Sequence, residues 1–490
     1  MSDQRPVVLV YPGSRARWNA QPWCDLPLDL LSVGSPVARA GYDVQIIDQR
    51  LDPHWRDRLL AALRRRPVCV GVTSTTGPQL KHALEVSRTV KDHSDVPVVW
   101  GGIHATLLPE QTLERPEVDY VVQAEGERTF LELVAALDQG KSPYAIPGVW
   151  KAGQGTAPRE FIDLNEEPPL EYGLVDVARY TRTVFGVKRL SFSTSRGCVY
   201  PCGFCLSTTV HKRRWRAMNA DVAVERIREF TRRFNVKGLF LTDPNFFVDL
   251  DRAREILEGV VRNKLDVVFT RLHIRFDALK RLSRQDLDLI VRAGGKCLSM
   301  GVESGSPRIR RLMHKEIDEC ELLEWNRRLR QWPLTPLYFF MMGFPTETVQ
   351  DLRQTVDLFI RLVDENPRAS KSLNVYVPYP GTELYTVAVQ EGFRPPASME
   401  GWFDFSYRRL GGGGSWVRPD VQERIEMLDF CSFFVGGGGV AKPFKQTNRL
   451  AAMAARAYAP VARLRVRHMI YQWPLEARAA KRLGLYAQES

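Results

Sequence analysis

The chain has 490 residues, 44% of them hydrophobic, and a formal net charge of +12. That length exceeds one ordinary core and predicts two or three domains. No apolar run approaches the ~20 residues of a spanning helix, and the opening MSDQRPVVLV has neither the basic start nor the small-residue cleavage site of a secretory signal, so the expected compartment is the cytoplasm. Between Val440 and Ser490, ten Lys/Arg stand against Glu476 and Glu489, a balance of +8. The rest of the chain is nearly neutral, and a general nucleic-acid-binding surface is not indicated.

Residues 1–145 hold five strand-like runs, PVVLVYP, YDVQIID, VCVGVTS, VPVVWGG and VDYVVQAEG, separated by helix-like stretches. Continuous Val/Ile runs in that order predict a buried parallel sheet in a doubly wound, Rossmann-like α/β domain. Ligands of such domains sit beyond the carboxyl ends of strands. The Gly-rich turns there supply Ser74, Thr75, Thr76 and Gly77, then Gly101, Gly102, His104, Ala105 and Thr106, then Glu125, Gly126 and Glu127. No G-x-G-x-x-G follows the first strand, which argues against a dinucleotide site.

Residues 146–187 are Pro/Gly-rich and read as a linker. Six further strands follow over 188–390: RLSFSTS, VKGLFLTD, DVVFTRL, KCLSMGVES, PLYFFMMG and SLNVYVPYP. Six βα units are too few for a closed eight-fold barrel. They predict a partial (β/α)6 TIM-like barrel with its site at the carboxyl ends of the strands. Trp215, Tyr338, Phe339, Tyr376 and Tyr379 lie near those ends and read as core packing, with a pocket lining as the alternative.

Residues 391–490 form a helical, basic C-terminal region, with GGGG at 411–414 and 436–439 as flexible turns around a helix containing VQERIEMLDFCSFF. Met453, Ala457, Val461 and Leu464 recur at helical steps, Arg449, Arg456 and Arg463 every seven residues, and Pro460 is expected to kink that helix. The basic tail admits three readings: a solvated helical face, a lid over an anionic substrate, or peripheral attachment to an acidic membrane surface. The apolar stripe is expected to pack on the barrel.

Cys24, Cys69, Cys297, Cys320 and Cys431 are scattered and read as small buried hydrophobes in a reducing compartment. Cys198, Cys202 and Cys205, in STSRGCVYPCGFCLSTT, are different. Three soft thiolates suit an iron–sulfur cluster or zinc. Four irons on three cysteines leave one iron open to a small molecule's amino and carboxylate groups. The zinc alternative would be completed by His211, but structural zinc usually staples small loop-rich modules, whereas this trio follows a strand and opens a βα series.

The spacing of Cys198, Cys202 and Cys205, with Phe204 before the third, resembles the radical S-adenosylmethionine (SAM) enzymes. LTDPNFF, SMGVESGSPRIRRLMHK, MMGFPTET and YVPYPGTELY continue the likeness in order over 188–385. The resemblance implies a 4Fe–4S cluster on the three cysteines, which reduces SAM to methionine and a 5'-deoxyadenosyl radical. It implies cofactor contacts at Phe204, at Asp243, at Glu303 and Ser304 for the SAM methionine or ribose, and at Gly343 to Pro345 for the adenine. Arg196 and Gly197 would shape the cluster loop. Glu303 has two plainer alternatives, a helix cap or a pair with Arg308. The family's Gly-Gly-Glu segment is not found, so the contact to the SAM amino group is unassigned.

Before that region, PLDLLSVGSPVARAGYDVQIID, GGIHATLLPE and VDYVVQAEGERTF resemble the cobalamin-binding domain of the class B radical SAM methyltransferases. The resemblance implies a corrinoid against the three Gly-rich turns, facing the cluster domain. DPHWRD has Asp52 and His54 but lacks the glycine of the cobalt-ligating motif, so His54 is expected to be a surface residue and His104 to pack on the corrin. The implied activity is methylation of an unactivated carbon in a small-molecule or natural-product intermediate, served by a one-electron reductant such as flavodoxin or ferredoxin. The alternatives are an oxidative cyclase or rearrangement enzyme without methyl transfer, and a non-catalytic corrinoid or cluster sensor.

Overall fold

In a computed structural model, residues 5–14, 24–407, 410–435, 449–471 and 475–482 are described. The chain divides into two units. The first comprises residues 1–183, 190–192 and 396–405; the second comprises 184–189, 193–395 and 406–490.

In the first unit the Val-rich runs become β1 (Val7–Tyr11), β2 (Val44–Asp48), β3 (Val70–Thr73), β4 (Val98–Gly101) and β5 (Tyr120–Val122). They pair in parallel in the order β2-β1-β3-β4-β5. Every residue of β3 and β5 is buried, as expected of strands covered on both faces. Part of the core gathers Val7, Leu9, Val99 and Val122 against Leu30 and Val37 of helix Leu28–Arg39 and Phe130, Leu133 and Val134 of helix Glu127–Asp138. Within the expected linker, β6 (Val149–Lys151) and β7 (Gln154–Gly155) extend this sheet antiparallel. Runs of two or three residues are too short to show an alternating pattern.

The second sheet has the order β16-β15-β14-β13-β12-β9-β8. In chain order its strands are β8 (Arg182–Val184), β9 (Val187–Phe192), β12 (Gly238–Leu241), β13 (Val268–His273), β14 (Cys297–Glu303), β15 (Thr335–Met342) and β16 (Ser370–Val375), and a small ribbon of β10 (Ser195–Arg196) and β11 (Arg216–Ala217) falls between β9 and β12. From β12 to β16 every pairing is parallel. Helices fill the connections: Arg284–Arg292 and Val349–Glu365 begin with capping boxes, Ser283/Asp286 and Thr348/Asp351. This is the expected partial barrel, with helices Pro419–Ser432, Arg449–His468 and Leu475–Arg482 after it. No described helix is long and apolar enough to cross a membrane.

Three expectations change. Cys320 is exposed, in the first turn of helix Glu319–Arg328, while Cys24, Cys69, Cys297 and Cys431 are buried. The first glycine run is not a loose turn: Gly412–Gly414 form a 3-10 turn with Gly414 buried, and the second run lies outside the described residues. Met453, Ala457, Val461 and Leu464 face outward, and Ala462 and Val466 are on the buried side of the helix. Periodicity marks a face of a helix but not its direction.

Candidate functional site

The cluster loop is braced from below. Asp243, just past β12, is fully buried and accepts hydrogen bonds from Thr194 N (2.8 Å), Thr194 Oγ1 (2.6 Å) and Ser195 Oγ (2.6 Å). Burial raises its pKa, against those hydrogen bonds and the nearby Arg252. Asp243 therefore anchors the chain entering the loop. Gly197, at φ +77°, lies so close to the Arg214 carbonyl that a Cβ would fall on it.

Cys198 and Cys205 are half-buried and Cys202 is buried. A turn links Cys205 N to Cys202 O (3.0 Å), and Gly203 N donates to Met313 O (3.1 Å). The Arg275 guanidinium, just past β13, donates to Cys202 Sγ at 3.0 Å and lies 3.8 Å over the Tyr200 ring. Burial raises the Cys198 thiol and pushes Cys205 up to about 11; Lys315 pulls both down, and Arg275 also pulls down Cys198. Three desolvated soft donors flanked by two cations fit an iron–sulfur cluster, whose thiolates those cations would stabilise. His211, the fourth ligand of the zinc alternative, has Nδ1 3.3 Å from the Arg216 guanidinium. Among the described residues no three His, Cys, Asp or Glu side chains converge as ligands of one ion. A cluster spreads its thiolates over several irons and needs no such convergence.

The strands above this loop alternate. In β15, Tyr338, Phe340 and Met342 are fully buried: Tyr338 Oη donates to Asn326 Oδ1 (2.9 Å), and Phe340 packs edge-on against Phe359. Leu337, Phe339 and Met341 are half-exposed on the other face. Pairing carries that face to Gly301 and Ser372 beside Phe339, and to His273 beside Ser299. The Arg271 guanidinium lies 5.2 Å over Phe240 of β12 and 5.9 Å over Phe339 of β15, while the His273 ring stacks on Phe339 at 6.4 Å. These contacts gather side chains of β12, β13 and β15 on the concave face, the barrel lumen. Burial, with Arg271 beside it, lowers His273 to about 4, so it is neutral and hydrogen-bonded to Ser299 Oγ (3.0 Å). Arg271 has no carboxylate partner among the described residues.

Glu303 ends β14 with a left-handed backbone, φ +66°. Its partner is Lys315, Nζ to Oε1 2.8 Å with both side chains under 9% exposed, and not Arg308, which pairs with Asp351 (2.6 Å). A Cβ on Gly301 would fall on this pair, so the pair folds over the lumen face of β14. Lys315 Nζ also lies 5.9 Å over the Phe204 ring, tying the pair to the cluster loop. Ser304 is turned inward: its hydroxyl bonds Thr355 Oγ1 (2.9 Å) and accepts from Ser306 N (3.1 Å). Gly343 is likewise committed, its N–H donating to Glu347 Oε2 (2.6 Å) and its carbonyl accepting from Trp416 Nε1 (2.9 Å). The polar groups of both residues brace their own surroundings. Of the five aromatics, Phe339 is in the lumen, Tyr338 is on the helix side, Tyr376 stacks on Phe344 (5.3 Å) and Trp215 lies under Arg252 (5.6 Å); burial pushes the Tyr379 hydroxyl up to about 12.

In the first unit two of the Gly-rich turns interlock. Ser74 Oγ donates to Gly101 O (2.7 Å) and accepts from Ala105 N (3.2 Å), and Ser74 O accepts from His104 N (3.1 Å). Gly102 has φ +88°, and its Cβ would stand 2.6 Å from Ser74 O, so only glycine fits. Thr106 Oγ1 receives Ala124 N (3.0 Å), which joins the third turn. Thr75 is exposed, Glu127 is buried at a helix start, and Glu125 accepts from Ile162 N (3.2 Å), so these two carboxylates brace their own surroundings. Gly126 is explained by Val33, 2.9 Å from where its Cβ would be.

The order β2-β1-β3-β4-β5 has its switch point between β1 and β3, and the 74–77 turn forms one wall there. His104 is fully buried, bonded through Nδ1 to Thr76 Oγ1 (3.0 Å), and its Nε2 has no hydrogen-bond partner. An orphaned buried nitrogen on a glycine-shaped cradle fits a ligand such as a corrinoid at this turn. Sequence reasoning missed the segment 396–405, which belongs to this unit. Trp402 meets His104 edge-on at 6.3 Å and donates to Gln111 Oε1 (2.9 Å), and the Phe405 carbonyl occupies the space a Cβ on Gly77 would need. Gly77 thus admits the chain's own backbone. His54 is exposed (79%), 3.8 Å from Asp57.

A doubly wound domain with such a cradle, on the same chain as a partial barrel carrying three cysteines, defines a cobalamin-binding radical SAM architecture. Residues 26–134 match the B12 binding domain and residues 192–359 the radical SAM superfamily. The chain is 30% identical over 373 residues to an uncharacterised methyltransferase of Pyrococcus horikoshii, covering 74% of this chain and 78% of that one. It is 25% identical over 426 residues to the anaerobic magnesium-protoporphyrin IX monomethyl ester cyclase of Rubrivivax gelatinosus, covering 82% and 73%. The structure of the radical SAM methyltransferase TsrM of Kitasatospora setae, with cobalamin and a 4Fe–4S cluster bound, aligns with a TM-score of 0.64 at 18% identity, over 94% of this chain and 89% of that one. The chain belongs to the cobalamin-dependent radical SAM enzymes. Its cofactors are a 4Fe–4S cluster, SAM and cobalamin.

Proposed function

We propose that the protein transfers a methyl group to an unactivated carbon of a small-molecule intermediate. The carrying observation is the juxtaposition of the three-thiol loop, the Glu303–Lys315 pair and a half-exposed lumen lined by Phe339 and Met341, on a chain that also has a B12-binding domain. The methyltransferase of Pyrococcus horikoshii supports the reading. When bound, the cofactors supply an electron, a hydrogen-abstracting radical and a methyl group.

The chain's own residues hold and orient. Cys198, Cys202 and Cys205 ligate the cluster, and Arg275 donates to one of those sulfurs. Glu303 and Lys315 have the opposite charges needed by the amino and carboxylate groups of SAM, which supports Glu303 as the partner of the amino group. Arg271, held between Phe240 and Phe339 without a carboxylate, offers the lumen's site for an anionic group of the substrate. Aromatic walls exclude water from the reacting carbon. The electron comes from a separate reductant of the flavodoxin or ferredoxin kind.

The Rubrivivax cyclase relative supports a second reading, oxidative ring formation with the same parts. Product counting separates the two. Anaerobically reconstituted enzyme with SAM, reductant and substrate yields S-adenosylhomocysteine and 5'-deoxyadenosine in equal amounts if it methylates. 5'-Deoxyadenosine without S-adenosylhomocysteine would contradict methylation and favour cyclisation or rearrangement.

A further inference from the structure

Half of the ten exposed large hydrophobic side chains among the described residues fall between 453 and 475: Met453, Val461, Leu464, Ile470 and Leu475. Three of them lie on one face of helix Arg449–His468. Positions 453, 456, 457, 460, 461, 464 and 467, spaced by three and four, are all exposed. The opposite side is already anchored. Tyr458 packs on Phe430 (5.9 Å) and Phe434 (5.0 Å) and contacts Cys431 Sγ through its hydroxyl (3.6 Å); Ala462 and Val466 are fully buried, and Arg463 pairs with Asp364. The outward apolar stripe is therefore surplus to the packing of this helix.

The same stretch is cationic. Residues 449–482 contain eight Lys/Arg and one acid, Glu476, which is taken by Arg465 (2.8 Å). Arg456 and Arg467 stand on the outward face beside Met453, Val461 and Leu464.

We propose that this face seats the protein on an anionic phospholipid surface, with the helix in the interface plane, Met453, Val461 and Leu464 at the acyl boundary and the arginines on lipid phosphates. The helix is not apolar enough to span, which leaves the surface orientation. A second copy of the chain would bring like-charged arginines together, and a nucleic acid would take the arginines but leave the apolar stripe in water.

The test is flotation of the full-length reconstituted enzyme with vesicles of phosphatidylglycerol and phosphatidylcholine, against phosphatidylcholine alone. The enzyme floats with the anionic vesicles at low salt, and release follows at about 0.5 M salt, where the Debye length is only a few ångströms. Arg456→Gln with Arg467→Gln lowers partitioning by about thirtyfold. Val461→Ser with Leu464→Ser also lowers it, with cluster content and circular dichroism unchanged; Leu464→Asp alone is a second apolar-face variant. No flotation at low salt, or flotation that both sets of variants leave intact, overturns the proposal. So does a concentration-dependent dimer that Leu464→Asp disperses in the absence of lipid binding.

Discussion

Lys315 holds Glu303 at 2.8 Å over Gly301, in a space closed to any side chain at that position. Both charges are buried, so neither stands alone cheaply. Lys315→Met leaves an unpaired buried carboxylate and costs about 3 kcal/mol, and the double variant Glu303→Gln/Lys315→Met recovers most of it. Denaturation of the three variants measures this. If the pair also grips SAM, Glu303→Gln weakens SAM binding by roughly tenfold or more with unchanged iron content. Full SAM affinity in that variant would remove the pair from the SAM site.

Arg275 donates to Cys202 Sγ, one of the three sulfurs proposed to hold the cluster. A guanidinium N–H on a ligating sulfur stabilises the more negative, reduced state, as hydrogen bonds to cluster sulfurs do generally. Arg275→Gln is expected to retain iron and sulfide and to lower the cluster's reduction potential. A redox titration reads the shift, and an unchanged or higher potential contradicts the placement.

Gly102 shapes the turn proposed to receive cobalamin. Gly102→Ala forces a Cβ to 2.6 Å from Ser74 O at φ +88°, so strain and steric conflict together cost about 2 kcal/mol or more. The variant is expected to fold less stably and to lose cobalamin while keeping its cluster. Retention of a full equivalent of cobalamin would contradict the assignment of this turn.

Burial lowers His104 to about 4 from an ordinary 6.5. As pH falls, the unfolded chain takes its proton near 6.5 and the folded one only near 4. The stability it contributes is therefore complete above about 6.5 and is lost as the pH drops through that window. Between pH 7 and pH 5 the loss is on the order of 2 kcal/mol. In cofactor-free protein, wild type is expected to show this extra acid sensitivity, and His104→Gln to lack it. Equal pH profiles would show that His104 titrates normally.

The strand series of both domains was legible because Val/Ile runs in parallel sheets are continuous, and the three thiols because local spacing carries them. What surrounds the thiols was not. Arg275 and Lys315 reach the loop from β13 and from beyond β14, and Trp402 joins the His104 cradle almost 300 residues downstream, so no local pattern connects them. The resemblance placed Asp243, Ser304 and Gly343 at strand ends correctly, but their polar groups brace turns that position other residues. In the tail, the helical period was right and the direction of the face wrong, because only the packing of Tyr458 on Phe430 and Phe434 decides which side is inward.

One iron on the three thiols is proposed to stay open and to receive SAM directly. Electron paramagnetic resonance of the reduced cluster, recorded anaerobically with and without SAM, tests it. The account predicts a changed signal when SAM is added to wild type. A cluster signal indifferent to saturating SAM, or turnover that survives Cys202→Ala, would contradict it.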